Sequence, residues 1–246
     1  MRRRGGTLAA LLAGTLLVSL VAVASAAATF HEMRIRALFK GPADVSFVEL
    51  QMIAPGQNLT AGKTISFFDH TGALVHSSPV FTNVAQGDNQ RTILIGDTGA
   101  AGSPDFPDPL MYQTLNADTS GAVCYENIDC VAYGSGFTPG ALNLLPSPAG
   151  NPVSGLSTNQ VIVRSITRGC PTALDTADDT NDSATDFGFV VGFPLRNNSV
   201  APTETLCPTT STGPGPTPTA KKCKKHKKKP ASAQSAKKKK CKSRKK

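Results

Sequence analysis

From Met33 onward the chain is a succession of short β-type runs broken by glycine, proline and asparagine turns, with no long amphipathic helix among them. Such runs cannot satisfy their own backbone N–H and C=O groups and must pair with one another. This excludes a helical bundle and points to an all-β sandwich or barrel. The chain contains no Trp, so Phe, Val, Ile and Leu must supply the core.

The run 45–53 is the best organising strand. Alternation puts Val45, Phe47, Glu49 and Gln51 on one face and Ser46, Val48, Leu50 and Met52 on the other. Glu49 brings a carboxylate among apolar neighbours and requires partners, either nearby backbone N–H groups or an arginine such as Arg91. Residues 33–39, 63–69, 73–76, 91–96 and 160–166 also read as strands, and 110–115 as a short strand or turn. Residues 122–125 and 128–133 form a hairpin pattern around Glu126 and Asn127. Phe187, Phe189, Val190, Val191 and Phe193 are expected to return to the core.

The two ends differ from this middle. Residues 1–26 have the layout of a secretory signal peptide. Arg2, Arg3 and Arg4 precede an apolar run from Leu8 to Val23, and Ala24, Ser25 and Ala26 form a small-residue cleavage site. The apolar run is short against the ~20 residues of a spanning helix. At the other end, residues 221–246 hold 15 Lys and Arg and no acid. Residues 27–220 keep 8 basic residues against all 17 acidic ones. The net charge of +9 thus conceals an acidic body and a basic tail. Between them, 201–220 is a Pro/Thr-rich linker.

A polycation of this kind is expected to be disordered and to bind polyanions. Its lysines Lys221, Lys222, Lys224, Lys225, Lys227, Lys228, Lys229, Lys237, Lys238, Lys239 and Lys240 are the candidate contacts. Anionic envelope polymers or an anionic membrane surface are the expected partners. No aromatic residue interleaves with the lysines, so nucleic-acid binding would be nonspecific. Export favours disulfides for the six cysteines. Sequence neighbourhood favours Cys124 with Cys130 and Cys170 with Cys207, and leaves Cys223 and Cys241 open.

The order of these runs resembles the lamin tail domain family. The resemblance rests on residues 47–50 (Phe-Val-Glu-Leu), on 64–69 (Thr-Ile-Ser-Phe-Phe-Asp) followed by Gly72, and on 90–97 (Gln-Arg-Thr-Ile-Leu-Ile-Gly-Asp). Arg164 to Ile166 and Ala184 to Phe187 resemble its closing segment. The tryptophan of the family's hairpin motif is absent, and residues 99–156 are longer than its usual connections. The resemblance covers about residues 33–198 and implies an immunoglobulin-like sandwich, here spanning 27–200, that binds or tethers other domains without catalysis of its own; no cofactor is expected.

Two constellations merit weighing for chemistry. Asp175, Asp178, Asp179, Asp182 and Asp186 could supply oxygen ligands to calcium, but the spacing lacks the glycine and register of an EF-hand loop. A solvated turn-rich loop is the plainer expectation; a secreted calcium-assisted hydrolase using residues 175–186 is the alternative. His70, beside Asp69, and His76 could form a metal or acid–base pair, but they flank a hairpin turn where surface placement is expected. Gly134-Ser135-Gly136 lacks the spacing of a nucleophile elbow.

Overall fold

The computed structural model describes residues 32–100 and 103–208. Among the described residues ten strands form two β-sheets, accompanied by two short α-helices. The strands are β1 (Arg34–Lys40), β2 (Phe47–Gln51), β3 (Ile65–Asp69), β4 (Leu74–Ser77), β5 (Thr92–Gly96), β6 (Phe106–Pro107), β7 (Gly121–Tyr125), β8 (Asp129–Tyr133), β9 (Gln160–Arg164) and β10 (Phe187–Val190). The helices are α1 (Met111–Asn116) and α2 (Ser183–Asp186). One sheet has the order β10-β9-β1-β2-β5-β6 and the other β4-β3-β7-β8. All pairings are antiparallel except β5 with β6.

The main core lies between the sheets. Ile35, Leu38, Val48, Leu50, Ile93 and Ile95 of the first meet Ile65, Phe67, Val123, Tyr125 and Val131 of the second. On β2 the period-2 alternation holds: Val48 and Leu50 face this core, while Phe47, Glu49 and Gln51 point away from it. On β1 it fails. The register with β2 shifts between Ile35 and Ala37, so Arg36 is a bulged residue. One extra residue inverts the faces beyond it. Leu38 therefore joins Ile35 inside, while Ala37 joins Phe47, Leu94, Val161 and Val163 on the outer face.

That outer face is covered by the chain after β10. Phe193 and Leu195 pack onto it. Arg196, Asn198 and Glu204 hydrogen-bond across it, and Cys207 is joined to Cys170. The compact unit therefore runs to Cys207, beyond the expected boundary at 200, because an ion pair and a disulfide fasten residues 201–207 to it. The expected signal peptide and the lysine-rich run lie outside the described residues.

Residues 110–115 are a correction. Leu110 caps α1 and residues 111–115 lie within it, with Met111 and Leu115, one helical turn apart, both buried in the core. Six residues are too few for the period to be read from sequence alone. Gly72 is required at the β3–β4 turn: its φ is +78°, and a Cβ there would meet the Ala141 carbonyl oxygen at 2.6 Å.

Candidate functional site

Three clusters of polar side chains are built into this frame, and the acidic loop forms the largest. A 3-10 turn at Thr176–Asp178 and α2 bring its carboxylates onto Arg164 at the end of β9. The Arg164 side chain is buried, and Nη2 lies 2.7 Å from both carboxylate oxygens of Asp129 on β8. Nη1 lies 3.3 Å from Asp179 and 3.4 Å from Asp186, and Nε donates to the Ile35 carbonyl at 3.0 Å. Burial disfavours the guanidinium charge, but Asp129, Asp179 and Asp186 outweigh it and raise the Arg164 pKa.

The same loop engages two further arginines. Arg34 Nε lies 2.8 Å from Asp179, and Arg168 Nη1 3.1 Å from Asp186. Asp178 accepts from the backbone N–H groups of Arg168 and Asp175. Asp175 and Asp182 cap the 3-10 turn and α2. The expectation of a solvated loop is corrected for three residues: Asp178, Asp179 and Asp186 are buried or nearly so, because guanidinium and backbone donors hold them. The loop's oxygens face arginines, and among the described residues no group of three or more His, Cys, Asp or Glu side chains could hold a metal ion. The sequence signal was available. Arg164 and Arg168 immediately precede the acidic run, and few other cations exist in the body to balance it.

The histidines lie where β3 and β4 meet the segment around α1. His76 Nε2 is 2.9 Å from Asp108 Oδ2 and 3.1 Å from Oδ1, and Asp108 is buried. His70 Nδ1 contacts Asp118. Burial works against the Asp118 charge, but the His70 contact and the Ser120 and Thr119 N–H groups win and lower its pKa. Asp69 is occupied by its own turn, accepting from Thr71 N, Thr71 Oγ1 and Ala73 N.

A cleft of about 460 Å³ opens beside them, lined by Phe67, Asp69, His76, Gln113, Asp118 and Tyr133 among others. Each histidine has its own carboxylate, so the expected Asp69-His70 and His76 grouping resolves into two separate pairs. The carboxylates come from Asp108 and Asp118, residues that sequence spacing did not connect to either histidine. Among the described residues no hydroxyl or thiol is hydrogen-bonded to either imidazole.

The third cluster surrounds Glu49. A backbone N–H does hold it, that of Arg196, which donates to Oε2 at 3.0 Å; the arginine beside it is also Arg196 and not Arg91, with Nη2 3.8 Å from Oε1. Arg91 pairs instead with Asp88 at 3.0 Å. A residue 147 positions away in sequence supplies the partner because the chain crosses the outer face late. Arg196 makes its strongest contacts with Glu204, at 2.8 and 2.7 Å. Burial pushes the Glu49 pKa up to about 7, against the pull of the Arg196 N–H and the Arg196 and Arg36 charges. Glu204 is pushed down to about 2: burial opposes this, but the paired Arg196 prevails.

Both favoured cysteine pairs are disulfides, Cys124–Cys130 across β7 and β8 and Cys170–Cys207. Such bonds indicate an oxidising environment. Among the described residues no helix is long and apolar enough to cross a membrane. Cys223, Cys241 and the lysines from Lys221 onward lie outside the described residues. No family model, curated protein or solved structure matches this chain.

Proposed function

We propose that this chain is a secreted, non-catalytic binding or structural module of immunoglobulin-like, lamin-tail type, tethered to anionic envelope polymers or an anionic membrane surface by its lysines. The observation that carries this reading is where the body's own cations go. Arg34, Lys63, Arg91, Arg164, Arg168 and Arg196 are ion-paired within the body. Lys40 is buried and donates to the Asp118 carbonyl, and the Arg36 charge is disfavoured by burial. These eight are all the basic residues between 27 and 220, where acids outnumber them by 9. Nothing basic is left over on the body to meet a polyanion, so attraction falls to the 15 cations of residues 221–246.

The test is retention on immobilised polyphosphate. The full chain is expected to bind at low salt and to elute at a few tenths molar, where the Debye length is below about 6 Å. A chain ending at Ala220 is expected to flow through. Equal retention of the shortened chain would overturn the tether.

A further inference from the structure

The segment from Phe187 to Leu195 reads Phe-Gly-Phe-Val-Val-Gly-Phe-Pro-Leu and contains no charged or polar side chain. Its expected return to the core is only half right. Phe187 is buried and Phe193 and Leu195 pack on the outer sheet face, but Phe189 is 46% exposed, Val190 44% and Val191 100%. The reason is its place: β10 is the last strand of its sheet, and Gly192, at φ +74°, turns the chain back immediately after it.

The other sheet edges are managed differently. β8 is followed by a bridge between Tyr133 and Val153, β6 is two residues ending in Pro107, and β4 carries His76 paired to Asp108. β4 also exposes Leu74 and Val75 beside its paired His76, but at β10 the exposed run Phe189–Val191 has no charged side chain and ends in the fully exposed Val191, where natural edges usually carry a charge, a proline or a cover. Behind the tip a cleft of about 420 Å³ is lined by Phe39, Phe47, Val161, Phe189, Phe193 and Leu195 among others. Exposed contiguous apolar surface on a soluble body marks an interaction site.

We propose that the tip Phe189–Phe193 inserts into the acyl region of an anionic bilayer, which the lysine-rich run draws to the chain. This rests on the tether proposed above and assigns its target to lipid. Charge complementarity favours that occupant. A few apolar side chains, or a basic run, bind a membrane only marginally alone, whereas an apolar element joined to a polybasic segment gives stable association. The acidic body is repelled by an anionic surface, and the uncharged tip is where close approach meets least opposition. The cleft behind it is lined by side chains suited to the end of a hydrocarbon chain.

The absence of tryptophan gives a clean probe. Full-length chains carrying Val191→Trp, or Val80→Trp as a control at another exposed apolar site, are mixed with vesicles of phosphatidylglycerol and phosphatidylcholine. Val191→Trp is expected to shift its emission to the blue and to be quenched by brominated acyl chains; Val80→Trp is expected to do neither. Val191→Asp is expected to lower vesicle partition roughly tenfold, the effect of withholding one valine from apolar surroundings, while polyphosphate binding stays unchanged. An unshifted Val191→Trp spectrum, or equal partition of Val191→Asp, would overturn the insertion. A Val191→Asp chain that loses only self-association in sedimentation would overturn it in favour of β10 pairing between two copies. Loss of polyphosphate binding by the wild-type chain would instead refute the tether.

Discussion

The Arg164 cluster and the Glu49 cluster both bury charge against the first sheet, and they solve the problem to different degrees. Arg164 has three carboxylates and two carbonyls arranged around one guanidinium, each donor engaged. Glu49 has one backbone N–H on one oxygen, a guanidinium at 3.8 Å from the other, and Arg36 close by without a hydrogen bond at Nε or Nη1. A buried ion pair is sustained by complete hydrogen bonding, not by proximity of opposite charges. In the first cluster the carboxylates hold the Arg164 guanidinium charged, while burial outweighs Arg164 at Asp129 and raises that carboxyl's pKa. In the second, the better ion pair is made by Glu204, and Glu49 is left to take up a proton near neutrality.

The largest expected effect comes from emptying the first cluster. Arg164→Met leaves Asp129, Asp179 and Asp186 without their central cation and is expected to cost about 3–5 kcal/mol in urea unfolding. A loss below about 1 kcal/mol would mean the cluster contributes little. Adding a chelator to the wild-type chain is expected to leave its melting temperature unchanged, since arginines occupy the loop's oxygens.

Glu49 comes next, and its effect depends on pH. Its folded-state pKa, about 7, lies above the ordinary 4.5. Between those values the folded chain holds a proton that the unfolded chain has released. The contribution is fully present below about 4.5 and is lost as pH rises through 7, a fall of up to about 3 kcal/mol. Glu49→Gln removes this dependence, so the variant is expected to match wild type at pH 5 and exceed it at pH 8. An identical fall in both chains would place the titration elsewhere. Glu204 runs the other way: its pKa is depressed, so its contribution is present above 4.5 and lost as pH falls toward 2.

The smallest effect separates the two candidate partners of Glu49. Arg91 meets an Asp88 side chain that is 65% exposed. Arg91→Ala is expected to change stability by no more than about 1 kcal/mol and to leave the pH dependence intact. A pH profile altered by Arg91→Ala would contradict the assignment to Arg196.

Much of this architecture was legible in sequence because the relevant forces are local. Alternation along β2 assigned its faces, and turn residues separated most of the strands. The short loop between Cys124 and Cys130 brought that pair together. What was not legible depends on contacts between distant segments or on a single inserted residue. The bulge at Arg36 reversed the faces of β1. α1 was too short to show its period. The acidic loop reads as solvated in sequence because what turns Arg164 inward, Asp129 on β8 and the Ile35 carbonyl, is distant in the chain. The histidine partners Asp108 and Asp118 lie 32 and 48 residues away from His76 and His70.

The sequence by itself determined the class of fold and the segregation of charge, with acids in residues 27–220 and lysines after 220. Those follow from composition and periodicity, which each residue carries with it. Only the tertiary structure decided which charges are spent. It turned the acidic loop inward onto Arg164, gave Glu49 to Arg196 and left Phe189, Val190 and Val191 at an uncovered sheet edge. Partner choice for a buried charge, and exposure of an apolar side chain, depend on how sheets and covering segments meet in space, which no local pattern of residues encodes.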